Sequence, residues 1–175
     1  AYNTVTVAVP SPAIRISDTR AAVNRISWGS QVESFSSPRL HGPFKHYEVY
    51  RSDSPLGPWR LIDSVGARDT RYFQDTAYVV YDTASTIGDF AYYSVVSVDS
   101  LGGKSGMTNM AGHNTQSPAV ASLGKVYVVP NPLFVTNGLT GDDPVGEKTD
   151  RLQFMGLTKD CTIRIFSYAG QLINT

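Results

Sequence analysis

Residues able to do chemistry are thinly spread along this sequence, and none stands in a complete catalytic motif. Gly103, Lys104 and Ser105 have the order that ends a phosphate-binding loop. That motif needs a glycine five positions before Gly103, and Val98 stands there instead. Because glycine and serine are favoured in turns, the sequence predicts a hairpin turn here and no nucleotide site.

Three histidines are the next candidates, but their spacing does not suit zinc. His41, His46 and His113 include no i,i+4 pair, and no Cys-x-x-Cys motif accompanies them. His41 and His46 could each meet a carboxylate such as Glu33 or Glu48. Surface positions are the simpler interpretation, since a solvated histidine needs no partner.

Cys161 is the only cysteine, so no intrachain disulfide can form. It has no neighbouring histidine, and the Gly-x-Ser-x-Gly elbow of hydrolases does not occur in the sequence. Cys161 alternates with Ile163 and Ile165, a pattern that predicts a buried structural thiol. We therefore predict no enzyme activity, no catalytic residue and no cofactor.

One loop has the composition of a calcium site. Asp142, Asp143, Glu147 and Asp150 lie close together, and Ca²⁺ prefers several oxygen ligands from a flexible loop. The spacing is not that of an EF-hand, because Asp142 and Asp143 are adjacent and no Glu follows at position twelve. We predict a solvated loop without a bound metal, and calcium remains the alternative.

Aromatic side chains offer a further route to a ligand. Trp59, Tyr50, Tyr72 and Tyr81 could form a stacking platform for sugar rings. Partial burial of the same side chains is the other interpretation, since aromatic residues contribute much apolar area to cores.

Composition and charge exclude some classes of partner. The chain has 175 residues, of which 41% are hydrophobic and only 17% charged. Its 15 basic and 15 acidic residues give no net charge, so no basic field exists to hold nucleic acid. No apolar run approaches the roughly 20 residues of a membrane helix. The chain begins at Ala1 without a signal peptide, as a processed protein or an internal fragment would.

The elements that position these residues are short strands with a period of two. Tyr93, Val95 and Ser97 alternate with apolar neighbours in a strand that belongs in the middle of a sheet. Polar residues make 30–43 an exposed loop, which is long for a compact domain. Strands are predicted at 2–9, 13–17, 22–28, 44–51, 59–65, 71–73 with an extension towards 81, 90–98 and 106–111.

Residues 10–113 resemble a fibronectin type III domain. The resemblance is carried by Trp28, YEVYRS at 47–52, GPW at 57–59, FQD at 73–75, YSVVSVD at 93–99, Gly102 and Ser105. It implies a seven-stranded sandwich with Trp28 buried against Tyr47 or Val49 and Val95. The family usually has a tyrosine six residues before Ser97, where this sequence has Ala91. The tyrosine corner is therefore either lost or taken over by Tyr92 or Tyr93.

Residues 114–124 have the composition of a linker, and a second unit follows at 125–175. This unit resembles the first half of the immunoglobulin-like domains at the C-termini of secreted bacterial proteins, related to the flagellar hook-capping domain. The resemblance is carried by VVPNP at 128–132, LQF at 152–154, Gly156-Leu157 and CTIRIFSYAGQL at 161–172. In some bacterial groups, related domains are sorting signals for type IX secretion.

Half of a sandwich leaves apolar strand faces without a covering sheet. We predict that the missing strands come from residues after Thr175 or from another copy of the chain. Residues 1–9 are predicted to be a leading strand or a linker, and 2–9 is the proposed donor strand.

The sequence therefore predicts an all-β chain with two β-sandwich units, one fibronectin type III-like and one a partial immunoglobulin-like domain. The predicted function is a non-catalytic structural, adhesion or assembly module of a secreted or cell-surface bacterial protein. One alternative is a subunit of an extracellular filament built by strand exchange. The other is an accessory carbohydrate-binding module of a secreted hydrolase. Predicted partners are other domains of the parent protein or neighbouring copies, through strand pairing, with a glycan as the alternative.

Overall fold

A computed structural model describes residues 6–129, 140–142, 148–150 and 152–175. The described chain is built from β-strands, with one short 3₁₀ helix at Gln31–Ser34, which confirms the predicted all-β class. The first unit has eight strands: β1 (Ile14–Arg20), β2 (Val23–Gly29), β3 (Phe44–Ser52), β4 (Arg60–Gly66), β5 (Phe73–Gln74), β6 (Ala77–Asp82), β7 (Phe90–Asp99) and β8 (Ala111–Asn114).

These strands form two antiparallel sheets, in the orders β1-β2-β6-β5 and β4-β3-β7-β8. Two such sheets packed face to face make a sandwich, as the resemblance implied. The eighth strand arises because the predicted strand at 71–81 is divided into β5 and β6. Asp75 has φ 56° between them, a left-handed conformation that ends a strand and allows a tight hairpin.

Trp28 lies in the core between the two sheets, with 3% of its surface exposed. Its ring meets Tyr47 edge to face, with centroids 5.4 Å apart, and stacks on Tyr78 at 5.5 Å. Val49 and Val95 belong to the same cluster. The predicted position of Trp28 and its predicted contact with Tyr47 are confirmed.

Tyr93, and not Tyr92, is the buried tyrosine near the position where the family has its tyrosine corner. Its ring is fully buried, and its hydroxyl donates to Asp82 Oδ2 at 2.7 Å and accepts from Asn24 Nδ2 at 2.8 Å. The partners are side chains rather than the backbone usual in such corners. Burial raises the pKa of Tyr93 to about 12, and the bond to Asp82 adds to the effect, while bonds with Ser85 and Asn24 oppose it.

The last strand of the first unit begins later than predicted, at Ala111 rather than at residue 106. Asn109 explains the difference, because its side-chain amide takes the place of a strand beside β7. Its Nδ2 donates to the carbonyl of Val95 at 2.9 Å, and its Oδ1 accepts from the Val95 N–H at 3.3 Å. With these backbone groups satisfied, β8 pairs only with 90–93 of β7.

The long loop at 30–43 is anchored to the core, so the prediction of an exposed loop is correct only in part. Val32 packs against the core cluster. The Glu33 carboxylate accepts a hydrogen bond from the Tyr78 hydroxyl and another from Tyr47 at 3.4 Å. Sequence reasoning missed these contacts, since the partners are 14 and 45 residues away.

The segment before β1 is attached to the first unit rather than free. Residues 1–5 lie outside the described residues, and over 6–9 the predicted strand is reduced to one bridge between Val7 and Leu40. Val9 is 1% exposed, and the Pro10 carbonyl accepts a 2.8 Å hydrogen bond from Ser97 Oγ. Residues 6–9, the described part of the proposed donor strand, therefore contact the first unit of their own chain.

The second unit consists, as described, of three separate two-stranded antiparallel pairs. Gln153 connects it to the first unit by donating to Asn114 Oδ1 at 3.1 Å. The paired strands are β9 (Tyr127–Val129) with β12 (Gln153–Met155), β10 (Thr140–Asp142) with β11 (Lys148–Asp150), and β13 (Ile165–Phe166) with β14 (Leu172–Asn174).

Candidate functional site

Gly103 closes the hairpin turn that follows β7, as predicted, and its carbonyl accepts a hydrogen bond from the Asp99 N–H at 2.9 Å. Asp99 organises this turn, because its Oδ1 accepts from the N–H groups of Leu101 and Gly103 at 2.9 and 2.8 Å. After the turn, the backbone of Lys104 forms an isolated antiparallel β-bridge with Val98 on β7.

The structure places each histidine beside a different carboxylate: His41 with Asp99, His46 with Glu48 and His113 with Asp18. The closest pair is His41 Nδ1 with Asp99 Oδ2, at 2.8 Å. Burial would raise the pKa of Asp99, but hydrogen bonds from His41, Gly103 and Leu101 outweigh burial and hold the pKa below its usual value. His41 thus pairs with neither of the glutamates suggested by the sequence, whereas His46 does contact Glu48.

The candidate calcium loop falls largely outside the described residues. Asp143 and Glu147 are not described, while Asp142 and Asp150 lie on the paired strands β10 and β11. Among the described residues, no group of three or more His, Cys, Asp or Glu side chains could hold a metal ion. The prediction of a solvated loop at 142–150, and its calcium alternative, therefore stay untested.

Cys161 is exposed, so the prediction of a buried thiol was wrong. The alternating pattern from 161 to 168 yields only the two-residue strand β13. Alternation brings burial only where a second layer covers one face, and within the described chain no layer covers Cys161.

The aromatic platform, which was the alternative to partial burial, is not assembled in the described structure. No close ring pair joins any two of Trp59, Tyr50, Tyr72 and Tyr81. Tyr50 instead donates to Glu48 Oε2 at 2.6 Å, and Tyr72 donates to Asp63 at 3.0 Å. Tyr50 and Tyr72 therefore serve local contacts, and no ring pair joins the four side chains into one stacking face.

The feature that stands out is the pair β13–β14, which we call the apolar hairpin (residues 163–174). Phe166 is 55% exposed and Ile173 66% exposed, while Tyr168 is fully exposed. Phe166 pairs with Leu172 and Ile165 with Asn174, with a register irregularity between the two pairs. Apolar side chains are thus exposed along both strands, and in the described structure the two strands pair only with each other.

Such a surface points to an interaction rather than to chemistry. Contiguous exposed apolar patches mark sites of protein association, and unpaired strand edges invite added strands. Sequence reasoning had found the apolar alternation at 163 and 165 and had predicted that a covering layer was missing. Within the described residues, no helix is long and apolar enough to cross a membrane.

No family model matches this sequence, and no curated protein matches it either. Among solved structures, the fn3 domain of the human collagen alpha-1(XX) chain is 18% identical, with a TM-score of 0.44, over 70% of this chain and 100% of that one. A Fn3-like protein from Clostridium thermocellum is 23% identical, with a TM-score of 0.37, over 64% of this chain and 99% of that one.

A third similar structure is the beta-1,2-glucanase from Parabacteroides distasonis, at 17% identity and a TM-score of 0.44. The match covers 69% of this chain but only 14% of the glucanase. The first unit has a fibronectin type III-like fold. This conclusion rests on the structure: two four-stranded antiparallel sheets enclose a core that contains Trp28.

Proposed function

We propose that this chain is a non-catalytic assembly module of a secreted or cell-surface bacterial protein, in which the second unit makes the assembling contact. The observation that carries the proposal is the apolar hairpin, whose large apolar side chains are exposed on both strands. Fully burying one Leu, Ile or Phe side chain stabilises a contact by about 1.5–3 kcal/mol. Covering several such residues would therefore drive association with another domain of the parent protein or with a neighbouring copy.

The first unit suits the role of a rigid spacer in this proposal. Buried polar side chains connect its two sheets, as the hydrogen bond from the Tyr93 hydroxyl to Asp82 illustrates. Its loops are tied to the core through Glu33 and to β7 through the His41 and Asp99 pair. A spacer benefits from such internal attachment, because its length and direction are then fixed.

Strand exchange into a filament is the second candidate, and the apolar hairpin favours it. A strand pair with two open edges can add to a sheet of another copy. The donor first considered, residues 2–9, is less suitable, because Val9 is buried in its own first unit.

Hydrogen exchange and light scattering on the complete 175-residue chain test the proposal together. We expect the amides of β13 and β14 to exchange rapidly in the monomer and to gain protection as the concentration rises or the parent protein's adjoining domain is added. Phe166→Asp should abolish this association. Leu56→Asp is the matched control, because Leu56 is 93% exposed in a turn of the first unit. A monodisperse monomer with a fully protected hairpin would overturn the proposal.

A further inference from the structure

Positive charge collects on the outer face of the sheet β1-β2-β6-β5. Ile26 and Val80 are opposite each other in this sheet and belong to the core cluster. The residues next to them along each strand therefore lie on the outer face, since side chains alternate between the two faces of a strand. This face carries three arginines, Arg15 and Arg20 on β1 and Arg25 on β2, and we call it the arginine face.

The register of β1 and β2 brings the three arginines together. Arg15 is opposite Ser27, two positions after Arg25. Arg20 is opposite Val23, two positions before Arg25. Arg25 is therefore the diagonal neighbour of both other arginines, at a Cα separation of about 7–8 Å. Arg15 and Arg20 are exposed, whereas Arg25 is half-buried and donates from Nη1 to Ser27 Oγ at 3.2 Å.

The arginine face has no acidic residue to balance this charge. In the part of the chain that the structure describes, none of the three arginines forms an ion pair with a carboxylate. The acidic residues of β1 and β6, Asp18 and Asp82, are both opposite the buried Asn24, so they lie on the core side of the sheet. Like charges in neighbouring positions destabilise a sheet, and a bound anion would relieve that repulsion.

The uncharged part of the arginine face suits a sugar ring. Tyr81 on β6 is opposite Arg25, and its side chain is 48% exposed. The aromatic ring offers a flat surface beside the charge, and Ser17, which is opposite Arg25 on β1, adds a hydroxyl. The aliphatic residues of the face, Val23 and Val79, are only 7% and 2% exposed, so neither offers apolar surface to a lipid.

The chemistry of the three positions favours one class of anion. Arginine rather than lysine stands at each of them, and its planar fork matches the paired oxygens of a carboxylate. An acidic peptide would gain much of its affinity by pairing its backbone with a strand edge, whereas these arginines stand on the face of a sheet. Nucleic acid would need more phosphate contacts than three arginines provide to bind well at physiological salt.

We propose that the arginine face binds a polysaccharide that carries carboxylate groups, such as a chain of uronic acid residues. Arg15, Arg20 and Arg25 donate hydrogen bonds to its carboxylates, and the Tyr81 ring packs against a sugar ring. This site differs from the aromatic platform considered from the sequence, because charge rather than stacking carries it. The inference concerns the first unit and is independent of the function proposed for the apolar hairpin.

The test is a titration of the ¹⁵N-labelled complete chain with tetragalacturonate, followed by NMR. The matched probe is the methyl ester of the same tetrasaccharide, which keeps the rings and hydroxyls but removes the charges. We expect tetragalacturonate to shift the amide signals of Ser17, Arg25 and Tyr81 and the Nε–H signal of Arg25. It should bind at least about fivefold more tightly than the ester, since exposed ion pairs are individually weak and two or more act together here.

Two double variants separate this face from a general effect of charge. Arg15→Gln with Arg25→Gln should weaken the binding of tetragalacturonate by about fivefold or more. Arg39→Gln with Arg60→Gln is the control, because it removes the same charge from exposed arginines of the loop before β3 and of β4. The control should change the affinity by less than about twofold, since distant exposed charges are screened by salt. Arg25→Lys keeps the charge without the planar fork, so its affinity should be intermediate.

Several outcomes would overturn the inference. Equal binding of tetragalacturonate and its ester would remove the role of the arginines. A tetraglutamate peptide or an oligonucleotide of equal charge that bound as tightly would assign the face to another class of partner. Shifts confined to the apolar hairpin or to β4, or no shift at about 1 mM tetragalacturonate, would leave the arginine face without the proposed ligand. Arg15→Gln alone, at an exposed side chain, replaces the double variant if that variant does not fold, and unchanged affinity would again contradict the proposal.

Discussion

The sequences at 95–98 and 163–166 are both typical of strands, but in the structure they lie in opposite environments. Val95 is 0% exposed, because β7 lies between two strands and the facing sheet covers the side of β7 on which Val95 lies. Ile165 and Phe166 are 36% and 55% exposed in a strand pair that no further described strand joins. The comparison shows that an alternating sequence favours a strand. Whether its side chains are buried depends on a second layer of strands, which the local pattern does not reveal.

The two units also differ in whether buried polar side chains connect their layers. In the first unit, Asn24 and Asp82 are buried and connect the two sheets through the Tyr93 hydroxyl. In the second unit, Met155 is a buried apolar residue, but the described strands carry no comparable network between layers. Three variants test how far this difference extends, beginning with the largest expected effect.

Trp28→Ala should destabilise the first unit by about 3–5 kcal/mol, since it removes a large aromatic side chain from a closed core. Chemical denaturation followed by circular dichroism measures the change in the free energy of unfolding. Leu56→Ala, at a 93% exposed site, is the control and should alter stability by less than about 0.5 kcal/mol. A loss under about 1 kcal/mol for Trp28→Ala would mean that Trp28 is peripheral to the core.

Tyr93→Phe should cost about 1–3 kcal/mol, because Asp82 and Asn24 stay buried and lose a hydrogen-bond partner. The matched comparison is Tyr81→Phe at a 48% exposed ring on the neighbouring sheet. If both variants were equally stable, the buried network would contribute nothing to joining the sheets.

The pH dependence of stability offers a sharper test of the same network. The folded pKa of Tyr93 is about 12, above the ordinary value near 10. The stability from the neutral hydroxyl is therefore complete below about pH 10 and is lost as the pH rises towards 12. Tyr93→Phe should show a shallower loss over this window in denaturation curves. A slope identical to that of the natural chain would contradict the assignment.

Phe166→Ser should have the smallest effect, under about 0.5 kcal/mol on the unfolding of the monomeric chain, because an exposed side chain loses little on removal. Thermal unfolding at low concentration measures it. A destabilisation of several kcal/mol would show that the apolar hairpin is packed within the monomer, and the contrast between the two units would disappear.

Much of the first unit could be predicted from the sequence, because local alternation and the position of Trp28 determine the strands and the core. The contacts that could not be predicted join distant residues through side chains, such as Glu33 with Tyr78. The late start of β8 is caused by Asn109, whose side-chain amide bonds to the Val95 backbone. No sequence pattern indicates such a contact. In the second unit, Cys161 was misjudged because burial was inferred from alternation alone.

Asn109 has a further, mechanical consequence for a chain that would act as a spacer. Its Nδ2 donates both to the Pro12 carbonyl at 2.6 Å and to the Val95 carbonyl at 2.9 Å. The chain thus enters the first unit bound to β7 and leaves it through β8, which is also paired with β7. Tension applied along the chain would load the hydrogen bonds on one strand and largely bypass the interface between the two sheets.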